Sequence, residues 1–470
     1  MASRNNELPS IWTGITFKDA VENISTNNKK IKQKDYLPLG KFPIVDQGQC
    51  LIGGYTNDES KVISCPRPLI IFGDHTKILK FISQRFAPGA DGVKVLAPQN
   101  FYEPKLFFYF TQYIASILVD KGYARHYQHL EKYTIPLPPI NEQKRIVAKI
   151  DELFSELDKG LENLQKAQEL LKTYRQALLK SAFEGKLTRE WREENKIKKN
   201  GGNEYLSLLG KSQIVSLKEE INSDELLQDL PDGWIWVRLG KLINFSQNGL
   251  SKRKGTNGVE LAVLRLADIK DRCIKTGGLR KIICTADEIK KYQLINFDIL
   301  CIRVNGSREL VGQLIMYQDK GIPLLFCDHF IRFSPLNSEI SNYLSLYSQT
   351  DFARTFIEKN MVSTAGQNTI SQSNLFQMPI PFPGKTEQNK IVSSLKINQS
   401  TIDILEKELI ILSEQLKALR QSILKKAFSG KLVLQDSNDE PASMLLERIK
   451  AEQSIQTSQK KSSIRQKVAL

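Results

Sequence analysis

Glu142-Gln-Lys-Arg-Ile-Val147 and Tyr174-Arg-Gln-Ala-Leu-Leu-Lys-Ser-Ala-Phe-Glu-Gly-Lys-Leu187 return further along the chain as Glu387-Gln-Asn-Lys-Ile-Val392 and Leu419-Arg-Gln-Ser-Ile-Leu-Lys-Lys-Ala-Phe-Ser-Gly-Lys-Leu432. Both pairs are offset by 245 residues, so 142–187 maps onto 387–432 without a gap, and 19 of the 46 positions are identical. Just upstream, Ile135-Pro-Leu-Pro-Pro139 corresponds to Met378-Pro-Ile-Pro-Phe-Pro383. Such a duplication means two copies of one scaffold.

Each copy reads as one long helix. In the second, Ile391, Leu395, Asn398, Ile402, Leu405, Leu409, Leu412, Leu416, Leu419 and Ile423 step by alternating four and three, the seam of a heptad repeat. The first carries the same seam at Ile146, Ile150, Leu153, Leu157, Leu161, Leu164, Ala167, Leu171, Tyr174 and Leu178, with a one-residue slip near Gly160. Asn141 and Thr386 stand at the N-cap position, each followed by a glutamate that the helix dipole favours. Gly185 and Gly430 sit where a left-handed residue closes a helix. A helix of this length spans roughly 69 Å, and two such seams pack most simply on each other.

A domain-sized unit precedes each helix. Leu8-Pro-Ser-Ile-Trp12 pairs with Leu230-Pro-Asp-Gly-Trp234 at an offset of 222, and between these openings and the Pro-rich exits the two units differ almost everywhere. Both show short β-runs such as Pro68–Gly73 and Phe297–Ile302, then a helix around Pro104–Val119 or Ser338–Lys359. The expected fold class is α+β. Two mixed α/β recognition domains (1–140 and 230–385) alternate with spacer helices (141–187 and 386–432) that form an antiparallel coiled coil with a pseudo-two-fold internal repeat. A polar linker (188–229) and a polar C-terminal tail (433–470) complete the chain, and 456–467 reads as disordered.

The 470 residues carry a net charge of +15, which points to a polyanionic partner. Residues 1–133 hold 17 basic against 12 acidic side chains, and 230–378 hold 19 against 13, so the excess belongs to the two domains and not to a tail. No run approaches 18 apolar residues and the N-terminus lacks a signal peptide, so no membrane partner is expected. Six scattered cysteines without a Cys-x-x-Cys pair read as reduced thiols of a cytoplasmic protein.

In this order and duplicated, these pieces resemble the specificity (S) subunit of type I restriction–modification enzymes over nearly the whole chain. The residues that carry the resemblance are the Pro-rich exits with Glu-Gln at 135–143 and 378–388, the paired Ala-Phe-x-Gly-Lys-Leu ends, the Leu-Pro-Asp-Gly-Trp opening at 230, and Gln435-Asp-x-Asn-Asp-Glu-Pro-Ala-Ser-x-Leu-Leu-Glu-Arg-Ile449. The first opening departs, since Ile11 replaces the usual glycine before Trp12. The resemblance implies a non-catalytic DNA-binding subunit whose two domains each read one half of an asymmetric, bipartite double-stranded site. It implies helices that set the spacing and dock two methyltransferase (M) subunits, with motor-nuclease (R) subunits joining them. S-adenosylmethionine, ATP and magnesium would be used by those partners, with no cofactor or metal in this chain.

Independent chemistry finds no motif. Pro138-Pro139 lacks the Asn or Asp before it and the aromatic after it that an amino-methyltransferase loop needs. Leu209-Gly-Lys-Ser212 imitates the end of a P-loop, yet Tyr205 occupies the required glycine position. Glu288-Ile-Lys290 matches a nuclease triplet that charged chains produce by chance, and His126-x-x-His129 has no further ligand at metal spacing. Two rival readings are a stand-alone DNA enzyme and a structural coiled-coil adaptor with protein- or nucleic-acid-binding domains lacking sequence preference.

Base readout needs forked donors and acceptors on loops, flanked by phosphate contacts. The candidates in the first domain are Tyr55, Asn57, His75, Arg125, His126, Tyr127 and Gln128. In the second they are Lys252, Arg253, Lys254, Arg303, Asn305, Arg308, Gln367 and Asn368. Ser251–Gly255 suits phosphates, Arg303–Arg308 suits a groove-reading loop, and Gly73-Asp-His-Thr76 reads as a structural or DNA-facing loop.

Overall fold

The computed structural model describes residues 8–89, 92–119, 125–196, 200–214, 221, 229–364, 366–449 and 451. The long helices run Ile140–Phe183 and Lys385–Phe428, 44 residues each, or about 66 Å at 1.5 Å per residue. Each starts two residues earlier than the capping pattern predicts, which puts Asn141 and Thr386 inside the first turn. The preceding backbone closes that turn instead: the carbonyls of Pro139 and Gly384 accept the N–H groups of Gln143 (2.9 Å) and Gln388 (3.0 Å).

The C-terminal ends match their reading. Gly185 and Gly430 adopt φ of +72° and +70°. In the first helix the N–H of Lys186 reaches the Ser181 carbonyl (2.8 Å) and that of Gly185 the Ala182 carbonyl (3.2 Å); Lys431 to Lys426 and Gly430 to Ala427 repeat both distances. This is a Schellman closure at both ends. A Cβ at either glycine would also collide with a proline ring, Pro231 for Gly185 and Pro9 for Gly430.

By contacts the chain forms two units, Met1–Gln165 with Ile410–Leu470, and Lys166–Leu409, so each long helix contributes a segment to both. In the first unit a four-stranded antiparallel sheet (order Val21–Ile24, Val93–Pro98, Leu69–Gly73, Leu79–Ile82) lies with a three-stranded one (Gly54–Thr56, Phe42–Val45, Ala87–Pro88). The helix Pro104–Ile117 covers the four-stranded sheet with Leu106, Phe107, Phe110 and Ile114. Its core continues onto Ile146, Ile150 and Phe154 of the first long helix and Ile423, Leu424 and Ala427 of the second.

The second unit repeats the plan with different strands. A four-stranded sheet (Ile243–Asn248, Phe330–Pro335, Ile299–Ile302, Leu314–Met316) joins a three-stranded one (Arg280–Cys284, Val259–Leu264, Leu324–Phe326). The helix expected over Ser338–Lys359 is two, Ser338–Tyr347 and Asp351–Asn360, because Thr350 turns out of the helix and caps the second with its hydroxyl on Ala353 N–H (3.2 Å). The linker is anchored, with Thr188 and Tyr205 buried. The stretch 456–467 lies outside the described residues.

The start and the exit of each domain are stapled together. Thr13–Thr16 pairs antiparallel with Thr134–Leu137, and Ile235–Arg238 with Pro379–Phe382. The two Trp-bearing openings also make the same turn, from Trp12 N–H to the Pro9 carbonyl (2.9 Å) and from Trp234 N–H to Pro231 (3.1 Å). Gly233 takes φ +87° in the second; Ile11 closes the first without a left-handed residue.

The repeated Glu-Gln is the clasp of this joint. Gln143 donates to the Phe101 and Pro138 carbonyls (both 2.9 Å), which fixes the exit strand. Buried Glu142 accepts from Trp12 Nε1 (2.8 Å) and Gln435 Nε2 (2.5 Å), and Glu387 from Trp234 Nε1 (2.9 Å), Thr188 Oγ1 (2.7 Å) and Arg192. Trp12→Phe should therefore cost about 1.5–3 kcal/mol in thermal unfolding, the worth of a bond to a charged acceptor. Burial raises the Glu142 carboxyl above its ordinary 4.5, although Trp12, Gln435 and Arg145 pull it back. The folded chain then binds that proton more readily than the unfolded one. Stability falls as pH rises from 4.5 through the raised value, and Glu142→Gln should remove that slope.

Candidate nucleic-acid interface

In the first unit the Gly73–Thr76 turn organises the candidates. The Asp74 backbone carbonyl accepts from His126 N–H (2.9 Å) and its carboxylate from Tyr127 N–H (2.8 Å). This pins the short helix Tyr127–Leu130 beside the turn. Asp74 is thus structural, and it brings His75 and Arg125 to one cleft of about 920 Å³. Lys30, Lys94, Asn23 and Asn27 line the same cleft, a donor-rich surface suited to phosphate and base edges.

The same pinning removes two candidates from the surface. His126 is 1% exposed and Tyr127 6%, the latter packed on Phe17 and Phe72 with Lys94 Nζ 5.3 Å from its ring centroid. These two side chains build the cleft and do not face into it. Arg125 and Gln128 are exposed. Tyr55 is half-buried and bonds Leu37 through its backbone, while the exposed Asn57 closes its own loop by accepting from Lys41 N–H (3.0 Å).

In the second unit strand pairing unites two separate sequence candidates. Val304–Asn305 pairs with Gln367–Thr369, with Asn305 opposite Asn368, so Arg303, Asn305, Arg308 and Gln367 belong to one small three-stranded sheet and its loops. Asn368 itself is buried, donating to the carbonyls of Asn305 (3.3 Å) and Gly306 (2.9 Å); it holds the loop's shape. Asn305 accepts from Ser307 N–H (2.9 Å), a local turn. Gln367 and Arg308 are exposed and Arg303 half-buried, tied by backbone to His329 (2.8 Å) and Ile370 (3.1 Å).

Nearby runs the Lys252–Lys254 loop. Lys252 pairs with Glu288 (2.9 Å), Arg253 with Asp328 (3.1 Å), and Lys254 is exposed without a partner among the described residues. Arg253, Arg265, Arg280 and His329 line a depression of about 230 Å³. Sequence reasoning missed Arg265 and Arg280, which meet only because Val263 lies opposite Arg280 across paired strands. It also missed Lys30 and Lys94, which sit in unremarkable runs. Cys327, Asp328 and His329 place three possible metal ligands within 4.8 Å, but Arg253 already occupies the Asp328 carboxylate.

Comparison with known proteins places this architecture. The family model described as the type I restriction modification DNA specificity domain matches residues 9–169 and 231–414. The StySPI specificity subunit of a type I restriction enzyme from Salmonella potsdam is 33% identical over 461 residues, 92% of this chain and 91% of that protein. The EcoKI specificity subunit of Escherichia coli K12 is 28% identical over 68% of this chain and 63% of its own length. Among solved structures, a chain from a study of complex assembly and conformational transition of the type I R-M system superposes with a TM-score of 0.61 at 21% identity, over 91% of this chain and all of its own. The crystal structure of the HsdS subunit from Thermoanaerobacter tengcongensis gives 0.51 at 21% identity, over 92% of this chain and all of its own.

Proposed function

We infer, from the fact that this chain belongs to the family of type I restriction–modification DNA specificity subunits, that it is the non-catalytic, sequence-reading part of such a complex. Its recognition domains, over 1–140 and 230–385, each read one half of an asymmetric, bipartite double-stranded DNA site. The observation that carries the bipartite reading is a reciprocal pair of contacts. Arg420 meets Asp158 at 2.7 Å in the first unit, and Arg175 meets Asp403 at 2.8 Å in the second. These are the same two positions of the repeat, exchanged, which is the signature of a two-fold contact between copies. On this reading the two duplicated helices pair as an antiparallel coiled coil, and each carries one of two unlike domains, so that the helices would set the spacing between the half-sites.

The helices also offer a docking face. Ile397, Ile404 and Ile411 recur every seven residues and are all more than half exposed, as is Leu170 on the first helix. Tyr174, Leu405, Leu412 and Leu419, which the heptad pattern places on the seam between the helices, are exposed too, so this stretch of the expected seam is not closed; the buried seam residues, Ile146, Ile150, Leu178, Ile391, Leu395 and Ile423 among them, belong to the cores of the two units. Apolar stripes of this kind suit protein partners, here two M subunits, with R subunits joining them. S-adenosylmethionine, ATP and magnesium belong to those partners and no cofactor to this chain. No described helix is long and apolar enough to cross a membrane, and the complex would act on DNA in the cytoplasm.

The test separates reading from catalysis. Purified alone, the chain should bind duplex DNA without methylating or cutting it. In the assembled methyltransferase, Arg303→Ala should relax recognition in the second half-site only, by about 1–3 kcal/mol if that side chain forks onto a base. If Arg303 meets a phosphate, binding weakens on every sequence and the salt slope falls by about one unit. Methylation by the lone chain would overturn the assignment.

A further inference from the structure

The second unit holds a cavity of about 430 Å³ that none of the candidate DNA-reading residues lines. Its walls carry four cations, Arg175, Arg272, Lys320 and Lys396, against one carboxylate, Asp271. Arg175 is neutralised by Asp403 (2.8 Å) and Glu406 (3.1 Å). Among the described residues, the other three pair with no carboxylate. Lys396 donates to the Asn342 amide oxygen (2.5 Å), and Lys320 reaches the Ile274 carbonyl (3.5 Å). Arg272 uses Nη1 alone, on the Leu314 carbonyl and Ser348 Oγ, both at 3.3 Å.

Two further observations single out this wall. Gln399 Nε2 is buried there and finds no hydrogen-bond partner among the described residues, a donor whose desolvation costs about 1–3 kcal/mol unless something accepts from it. Asp271 and Arg272 both adopt left-handed backbone, φ +50° and +58°, in the two-residue turn joining Ile269–Lys270 to Cys273–Ile274. Such a turn favours Asn-Gly, and strained non-glycine residues persist where a structure uses them. Burial, with Arg354 adding to it, pulls the Arg272 guanidinium down to about 10, so the cation sits where its charge lacks a counterpart.

We propose that the cavity between the Asp271–Arg272 turn, the Leu314–Lys320 segment and the helix Ser338–Tyr347 binds a small phosphate-bearing ligand, held by Arg272, Lys320 and Lys396 with Gln399 donating to it. A recess of this volume is in the range of small-ligand sites. Arginine and lysine around a buried amide donor match the oxygens of a tetrahedral oxyanion. The site is separate from the DNA-reading surface and does not depend on that assignment.

The experiment titrates the full-length chain with inorganic phosphate, then pyrophosphate, at constant ionic strength, following Tm and heat of binding. A saturable isotherm with a matching rise in Tm is expected. Arg272→Gln and Lys396→Gln should each weaken it about tenfold or more. Gln399→Met, which removes only the unpartnered amide, should weaken it a few-fold with the unliganded Tm kept or raised. Lys18→Gln, on an exposed surface of the other unit, should change nothing. The proposal is overturned by a linear, non-saturating response, or by a saturable one that survives in both cation variants and in Gln399→Met. Displacement of bound phosphate by random-sequence duplex DNA would also overturn it, by making the cavity a backbone contact of the DNA.

Discussion

Exchanging residues 17–133 for the equivalent segment of another family member is expected to rewrite one half of the recognised sequence and leave the other half unchanged. The junctions follow from the structure. Thr13–Thr16 and Thr134–Leu137 form a paired ribbon, and Phe17 N–H meets the Tyr133 carbonyl at 2.8 Å just above it. The domain therefore leaves and rejoins the scaffold at one point, with both ends held by strand pairing and by the Trp12–Glu142 clasp. At about 1–3 kcal/mol for each mismatched base pair, a changed half-site of three or four pairs shifts preference by several orders of magnitude. The change would appear in the methylated motif of a strain carrying the hybrid with its M subunits. If both halves changed together, the domains would not be independent readers.

Lengthening the first long helix by four residues near Glu169 is expected to change the number of unread base pairs while both half-sites stay the same. That position is exposed and lies well inside Ile140–Phe183, so an insertion there adds about one turn, or 6 Å, to the helix. Residues 184–188 would be a poor place, because the Schellman closure and buried Thr188 belong to the cap. Since base pairs are stacked about 3.4 Å apart, the gap should move by roughly one to two pairs. The Arg175–Asp403 contact must re-register to permit this, so a loss of stability of about 1 kcal/mol should accompany it. Unchanged spacing would mean that the helices do not act as the ruler.

How far the sequence was legible depended on how local each signal was. The long helices, their glycine closures and the twin Trp-bearing openings rest on contacts between residues close in the chain, and their patterns could be read directly. The break at Thr350 was hidden because the apolar spacing continues across it while a single hydroxyl caps the next turn. The burial of His126 and Tyr127 could not be seen, because the group that pins them, Asp74, lies about fifty residues upstream. Asn368 read as a base-reading amide, but its partners are carbonyls more than sixty residues away. The oxyanion cavity was invisible for the same reason. Its cations come from four separate segments, and only packing brings Arg272 towards Lys396.

Polar side chains on loops are the least decidable class, since a fork that reads DNA and a fork that holds a turn have the same chemistry. The pairing of Val304–Asn305 with Gln367–Thr369 brings the Arg303–Arg308 loop and Gln367, far apart in the chain, onto one surface. Arg253 shows the opposite case. Its guanidinium is already committed to Asp328, which fixes its direction and leaves fewer donors for a base.

If one chain carries two unlike readers on a duplicated helical frame, the methylated motif of its host must show it. Single-molecule methylome sequencing of a host that expresses this chain with its M subunits reads that motif without intermediate steps. One asymmetric motif is expected, made of two defined half-sites separated by a fixed run of unspecified bases, with Arg303→Ala degrading only one half. A single uninterrupted motif, a palindrome, or methylation without sequence preference would contradict the two-reader frame.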